Sequence, residues 1–213
     1  MGKAIEKRSN GFLANVNVEV ALDIMRENTG GDELSVDDLT TIRIPGGGGK
    51  FWTLPDPETG EDAPASDFAA VVLAQQAVRK YWSTSLDEAT EKSAPECISP
   101  DGIEGVGDPG GVCEACGVID RCKRFKNVLL IREGVSIPEI LVLPPGSFFP
   151  MKRFGLRLGN TGKRISMIVT RFGLEQTDNP QGKTYSRVMP SVERDLVESD
   201  YDSINSIRNL FVR

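Results

Sequence analysis

Short apolar runs bounded by turn residues dominate the hydrophobic pattern of this chain, and they predict a protein built mainly from strands. Residues 128–131 and 137–143 are apolar runs, the second interrupted by Glu139, and a glycine turn separates them. Runs of this length between turn residues are typical of buried strands. Residues 163–175 alternate apolar and polar side chains, and turn residues 178–182 join them to residues 183–189 as a predicted hairpin.

Residues 68–82 carry a pattern that fits two structures. The alternation fits a long strand, yet apolar side chains also recur at helical spacing. We favour a strand, because the segment ends in the β-favouring Tyr81 and Trp82 and runs into a loop without a glycine that could cap a helix.

The N-terminal part is less clear. Residues 16–27 fit either a strand or a helix ended by Gly30 and Gly31, and both alternatives stay open. Residues 39–44 predict a short strand, and the glycines after them predict a hairpin tip.

Helices are predicted in few places. Residues 148–158 have the pattern of a short, basic amphipathic helix. From Pro190 onward the chain is predicted to be helical and acidic, with apolar residues at helical spacing over residues 204–211. Residues 56–67 and 83–96 are polar and predict loops.

Five or six strands with few short helices predict a mainly β (α+β) chain. We expect an OB-fold-like small barrel rather than a parallel α/β sheet. The predicted organisation is an N-terminal extension over residues 1–37, an OB-fold-like domain over residues 38–192 with an inserted loop at residues 97–122, and an acidic, then amphipathic tail over residues 193–213.

The totals are those of an ordinary globular protein. The 213 residues are 39% hydrophobic and 26% charged, enough to bury a core. No run reaches the roughly 20 apolar residues that cross a bilayer, and the N-terminus has no apolar segment of a signal peptide. We therefore expect a cytoplasmic protein that does not bind membranes.

The net charge of -6 hides a division along the chain. Residues 1–120 contain 9 basic and 22 acidic side chains, whereas residues 121–171 contain 11 basic side chains and 2 acidic ones. A basic segment of this kind indicates a polyanion partner, although it can also be the solvated side of a sheet.

The four cysteines indicate a metal site. Cys97, Cys113, Cys116 and Cys122 have the spacing C-x15-C-x2-C-x5-C, and the chain has no histidine. Four thiolates at such spacing suit a closed, tetrahedral structural zinc ion. The alternatives are two disulfides or four unrelated buried thiols, of which disulfides are rare in a reducing compartment.

A catalytic zinc ion is not expected here. Catalytic sites leave one position open for water and usually include histidine or a carboxylate among their ligands. The zinc-deaminase motif requires a glutamate two residues after its first ligand, and Ser99 occupies that place after Cys97.

Basic and aromatic residues are interleaved, as single-stranded nucleic acid requires for phosphate contacts and base stacking. Tyr81, Trp82, Phe172 and Tyr185 are the predicted stacking residues, while Phe125, Phe148 and Phe149 are assigned to the core. The full predicted nucleic-acid surface is Arg79, Lys80, Tyr81, Trp82, Lys123, Arg124, Lys126, Lys152, Arg153, Lys163, Arg164, Arg171, Phe172, Lys183, Tyr185 and Arg187.

Three motifs resemble a known family. They are Cys-Ile-Ser-Pro-Asp-Gly-Ile-Glu-Gly at residues 97–105, Gly-Gly-Val-Cys-Glu-Ala-Cys at residues 110–116 and Leu-Pro-Pro-Gly-Ser at residues 143–147. Together they resemble the zinc-bearing OB-fold single-stranded-DNA-binding proteins of tailed bacteriophages, over roughly residues 38–195.

The resemblance implies sequence-independent coating of single-stranded DNA in phage replication or recombination, in the cytoplasm of the host cell. It also implies a structural zinc ion. The acidic tail fits either the recruitment of replication or recombination proteins or a solvated helix that packs back on the barrel through its apolar stripe. The alternative is a zinc-stabilised interaction or accessory module. An enzyme is not expected, because no histidine or recognisable carboxylate site is present.

Overall fold

The computed structural model describes residues 12, 18–31, 36–56, 59–84 and 94–211. The helices are α1 Val18–Asn28, α2 Phe148–Asn160 and α3 Tyr201–Phe211. The strands are β1 Thr41–Arg43, β2 Trp52–Pro55, β3 Asp62–Ala65, β4 Asp67–Tyr81, β5 Cys97–Ser99, β6 Glu104–Gly107, β7 Gly111–Val112, β8 Lys123–Arg132, β9 Glu139–Leu143, β10 Ile168–Asp178 and β11 Thr184–Asp195. The prediction of a mainly β chain is confirmed.

The sheet is assembled around β4. This strand pairs antiparallel with β8 along most of its length, with β10 near its start and with β5 at its end. Beyond β8 lie β9 and then β1, which is parallel to β9, so the sheet is mixed. Beyond β5 lie β6 and β7, whereas β11 pairs with β10. β4 thus connects the body of the protein to the cysteine segment.

A bulge in β4 decides which of its side chains face the core. The register to β8 shifts between Val72 and Ala74. One extra residue reverses the faces that the following residues take. Val72 therefore points into one core before the bulge, and Arg79 lies on that same side of the sheet after it.

The inner core lies under the β2–β3 hairpin and α2. Trp52, Phe68 and Phe172 pack there, with ring centroids of Phe68 5.0 Å from those of Trp52 and 5.2 Å from those of Phe172. The indole Nε1 of Trp52 donates a hydrogen bond to the carbonyl oxygen of Phe172 at 3.0 Å, which satisfies its one polar atom. Met151 fixes α2 to this core.

The outer core covers the opposite face of the sheet. Ile204 and Ile207 of α3 are buried there against side chains such as Leu129 and Ile131. Asp200, just before α3, is buried and accepts a hydrogen bond from the backbone N–H of Phe12 at 2.6 Å. The apolar stripe over residues 204–211 therefore packs the tail back onto the sheet.

Two loops contact the far strand β11. The hydroxyl of Ser186 donates to the carbonyl oxygen of Gly49 at 2.7 Å, and the hydroxyl of Ser147 accepts from the N–H of Val188 at 3.0 Å. The strands of the described residues do not close into a hydrogen-bonded barrel. The mixed sheet is established, and the assignment to an OB-fold-like architecture stays a prediction.

Several element predictions are confirmed. Residues 68–82 lie in strand β4 apart from the final residue, and the open alternative at the N-terminus is resolved as helix α1. The predicted helix over residues 148–158 is α2. Most of the predicted extension 1–37, and residues 85–93 of the predicted loop 83–96, lie outside the described residues.

Two element predictions are wrong. The loop predicted over residues 56–67 contains β3, which forms a hairpin with β2. The helix predicted from Pro190 is instead the end of β11, because Pro190 to Asp195 continue to pair with β10. The predicted boundary between residues 192 and 193 consequently falls inside a strand.

None of the helices in the described part of the chain combines the length and apolar character needed to span a bilayer.

Candidate metal centre and nucleic-acid interface

All four cysteines border one small cavity. Its volume is about 10 Å³, close to the space that one water-sized particle needs. The cavity lies at the end of β4, where Arg79 and Tyr81 also line it. We call residues 94–122, which fold around this cavity, the thiol lobe.

Tight turns hold the last three cysteines. The N–H of Cys116 donates to the carbonyl oxygen of Cys113 at 3.1 Å, and the N–H of Cys122 donates to that of Ile119 at 3.1 Å. Each bond closes a single turn of 3-10 helix. The N–H of Cys113 bonds the carbonyl oxygen of Ile103 at 2.7 Å, which ties these turns to the start of β6.

Two glycines of the thiol lobe permit the approach of Cys97. A Cβ atom added to Gly105 would lie 2.8 Å from the Sγ of Cys97. Gly107, with φ of 114°, would place a Cβ atom 2.0 Å from the carbonyl oxygen of Glu96. Side chains at either position would push β5 and β6 apart, so the lobe requires glycine at both.

The thiol lobe has almost no hydrophobic core. Ser99 and Cys113 are its only buried residues. Most of its large apolar side chains are instead exposed, namely Ile98, Ile103, Val106 and Val112, while Val118 and Ile119 are half-buried. A segment that buries so little apolar surface does not hold its shape by packing alone, and small units of this kind depend on disulfides or a metal ion.

The thiols are free and crowded. The structure contains no disulfide among the described residues, and three of the four cysteines are only half-buried, which does not fit four unrelated buried thiols. Burial raises the pKa of Cys122, and the neighbouring thiolates of Cys116, Cys113 and Cys97 raise it further. The guanidinium of Arg79 opposes this shift of the pKa.

The four thiols are neighbours, but they are not arranged as the ligands of one metal ion. Among the described residues, no set of three or more cysteine, aspartate or glutamate side chains is arranged so that it could hold a metal ion. Lining one cavity requires only that the sulfurs be neighbours, whereas ligation requires that they converge on one point. The neighbourhood of the four thiols is established, and their ligation is a prediction.

Like charges face each other where β4 leaves the body of the protein. Arg79 lies directly opposite Arg124 on β8, and Lys80 lies directly opposite Lys123. Like charges in directly opposed positions of an antiparallel pair destabilise the sheet. Successive side chains of a strand point to opposite faces, so Arg79 and Arg124 share one face of the sheet and Lys80 and Lys123 share the other.

A continuous surface of cations and aromatic rings runs from this point onto α2. Lys126 lies on the same face as Arg124, and its Nζ is 5.4 Å from the ring centroid of Phe148. The next ring, Phe149, lies 5.8 Å from the guanidinium carbon of Arg153. We call this surface the basic track, and its members are Arg79, Arg124, Lys126, Phe148, Phe149 and Arg153.

The cations of the basic track lack acidic partners. None of its four cations forms an ion pair within the described ranges of the chain. Arg79 donates instead to the carbonyl oxygen of Gly102 at 3.3 Å. A polyanion could therefore meet these charges without displacing a carboxylate.

Phe149 is a residue that the sequence prediction missed. It is assigned to the core on composition, but its ring is 65% exposed. α2 buries Met151, Phe154 and Leu158, so helical periodicity places Phe149 on the opposite face. That periodicity was the signal that could have identified it. Phe125 and Phe148, assigned to the core in the same way, are half-buried.

Two predicted stacking residues are wrong, because they are buried. Phe172 is fully buried in the inner core, where it stacks on Phe68. Tyr81 is buried beside the cysteines, and the guanidinium carbon of Arg121 lies 5.2 Å from its ring centroid. Neither ring presents a face to a base.

Three predicted phosphate contacts are paired with acids. Arg171 bonds Asp67 at 2.7 Å and also bonds Glu193, and these partners raise its pKa above the usual range. The remaining two pairs are Arg187 with Glu175 at 2.7 Å and Lys163 with Asp195 at 2.6 Å. Each of these cations is already paired with a carboxylate. The charge that led us to predict phosphate contacts for them is therefore balanced within the protein.

The other predicted residues are exposed or half-buried, and none of the contacts described places them on the basic track. Lys152 and Arg164 are exposed, and Trp82 is half-buried at the end of β4. Tyr185 is half-buried, and its Cε2 atom is so near Gly146 that an added Cβ would lie 2.6 Å from it. Lys183 is exposed in the same hairpin.

No family model, curated protein or solved structure shows detectable similarity to this chain.

Proposed function

We propose that this protein binds single-stranded DNA along the basic track without reading its base sequence. The mixed sheet acts as an OB-fold-like platform, and the thiol lobe, held by a structural zinc ion, stands at one end of the track. The protein coats single strands during replication or recombination, and it is not an enzyme.

The observation that carries this proposal is the pair of directly opposed like charges, Arg79 with Arg124, at the start of the basic track. Such an arrangement costs folding free energy that a bound phosphate backbone would recover. The exposed ring of Phe149 adds a surface on which a base can stack. Stacking and phosphate contacts are both independent of sequence.

The zinc ion would be held by the four thiolates of Cys97, Cys113, Cys116 and Cys122. The donor chemistry suits this group, because four thiols border one cavity and the thiol lobe has no core to replace a crosslink, while ligation would require the sulfurs to converge on one point. A bound zinc ion supplies the crosslink that keeps the lobe folded. The chain's own contribution is the glycine-dependent approach of Cys97 and the tight turns of the other three cysteines.

The direct test is a titration with oligo-dT at two or more salt concentrations. We expect the logarithm of the association constant to fall linearly with the logarithm of salt, by about 0.7 per phosphate contacted. Trp52 is fully buried and serves as a constant background, so changes in intrinsic fluorescence report on Trp82. Tight binding that ignores salt, or a preference for duplex DNA, would reject the proposal.

Replacing Phe149 by alanine should weaken binding of oligo-dT by roughly tenfold, because stacking on one ring contributes ~1–3 kcal/mol. The matched control is Leu156→Ala on the same helix, since Leu156 is 61% exposed but has no aromatic face. We expect the control to bind within about twofold of the unmodified protein. Equal effects of the two substitutions, measured by fluorescence anisotropy, would show that Phe149 does not stack.

A further inference from the structure

Phe51 is a second exposed aromatic ring that the basic track does not include. Its side chain is 62% exposed, and the neighbouring Lys50 is exposed as well. Both follow four consecutive glycines in the loop between β1 and β2. A large apolar ring beside a cation, held in solvent, has the chemistry of a stacking platform.

The loop that carries Phe51 is fixed on both sides. Before it, the carbonyl oxygen of Gly49 accepts a hydrogen bond from Ser186 at 2.7 Å. After it, Trp52 is fully buried and bonds the carbonyl oxygen of Phe172. Phe51 therefore projects from a short segment with an anchor two residues before it and one residue after it, and its exposure is imposed by these anchors.

Glycine at position 48 is required for this anchoring. A Cβ atom added to Gly48 would lie 2.5 Å from the Cγ2 atom of Thr184, and the φ of 63° at Gly47 and 77° at Gly48 also favours glycine. The glycines thus let the backbone lie directly against the β10–β11 hairpin. The loop between β1 and β2 therefore packs closely on the β10–β11 hairpin.

Contacts with β11 place the loop of Phe51 near the start of α2. The ring of Tyr185 packs on Gly146, which lies three residues before Phe149. The next residue along β11, Ser186, holds the loop of Phe51 through Gly49. Two residues further along β11, the N–H of Val188 donates to the hydroxyl of Ser147, which lies two residues before Phe149, so the loop of Phe51 and the start of α2 meet β11 two residues apart.

We propose that Phe51, with Lys50, is a second base-stacking station for the same single strand. This inference rests on the proposed function. The single strand passes from the basic track at Phe149, past the edge of β11, to Phe51, so that bases stack at both ends. Because the two stations are reached by different parts of one strand, Phe51 contributes only to oligonucleotides long enough to span them.

The experiment compares Phe51→Ala with the unmodified protein across a series of oligo-dT lengths, using fluorescence anisotropy. We expect about tenfold weaker binding of long oligonucleotides, and unchanged binding of the shortest ones that still bind. Phe51→Leu, which keeps apolar bulk without an aromatic face, should behave like Phe51→Ala. Thermal unfolding of both variants should match that of the unmodified protein, because the replaced ring is exposed.

A second readout is Phe51→Trp, whose emission should be quenched by long oligonucleotides beyond the change seen in the unmodified protein. Normal binding by Phe51→Ala at every length, without extra quenching in Phe51→Trp, overturns the second station and leaves the proposed function standing. An equal loss at every length also overturns it, because Phe51 would then belong to the first station. Absence of binding by the unmodified protein would instead refute the proposed function.

Discussion

Replacing Cys116 by serine is expected to unfold the thiol lobe and to abolish stoichiometric zinc binding. Structural zinc contributes on the order of 10 kcal/mol to sites of this size, and the lobe buries only Ser99 and Cys113 of its own residues. The few buried side chains of the thiol lobe do not replace the crosslink that the zinc ion supplies. The measurements are zinc content by elemental analysis, thermal unfolding, and hydrogen exchange of residues 97–122.

The matched control for Cys116→Ser is Ala115→Ser, which adds the same hydroxyl to the adjacent, exposed residue without removing a thiol. It should keep both the zinc ion and the melting temperature. Serine at each of Cys97, Cys113 and Cys122 should reproduce the effect of Cys116→Ser, because a closed site needs all four ligands. A Cys116→Ser protein that melts like the unmodified one, or an unmodified protein without zinc, would refute the metal site.

The second large effect is expected from reversing three cations of the basic track, Arg124→Glu, Lys126→Glu and Arg153→Glu, in one protein. Binding of oligo-dT at low salt should fall by at least about a hundredfold. The slope of the logarithm of the association constant against the logarithm of salt should become less steep by about 2, since each phosphate contact to a single strand contributes about 0.7. Arg79 is left unchanged because it bonds Gly102 in the thiol lobe. The measurement is anisotropy at several salt concentrations.

Stability should move in the opposite direction to affinity in this variant. Glutamate at position 124 would face Arg79 directly, which replaces a repulsive cross-strand pair by an attractive one. The melting temperature is therefore expected to stay the same or rise while DNA binding is lost. Simple misfolding would lower both, so the two measurements together separate a loss of contacts from a loss of structure.

The control with the same change of net charge reverses Lys163, Arg171 and Arg187 to glutamate. These cations are paired with Asp195, with Asp67 and Glu193, and with Glu175. Their reversal should lower the melting temperature, because carboxylates would then face carboxylates, and it should change affinity far less. If this control loses as much affinity as the basic-track variant, only the overall charge matters and the track is not the binding surface.

Much of the sheet could be predicted from local patterns. Residues 128–131 are apolar without interruption because β8 is buried on both faces at its end, between the inner and outer cores. Residues 68–82 carried a strand and a helical pattern at once. The bulge after Val72 explains the ambiguity, since it breaks the strict alternation that marks a strand.

Other elements depended on partners distant in sequence. The predicted helix from Pro190 failed because the pairing of β10 and β11 extends to Asp195, and strand pairing overrides local propensity. β3 was missed because Asp62, Ala63, Pro64 and Ala65 carry no alternation of large apolar and polar side chains, and its strand pairing is with β2. Closure into a barrel could not be settled from strand count, since closure depends on register.

The sequence by itself determined the chemistry that is available to this protein: four thiols at metal-ligand spacing, no histidine, and a basic segment rich in strands. Only the tertiary structure decided which of those groups reach solvent. Phe172 is buried and Phe149 exposed, and Arg171 is neutralised by Asp67, a residue 104 positions away, while Arg124 faces Arg79. Burial and charge pairing are set by contacts between distant strands, which spacing along one chain does not specify.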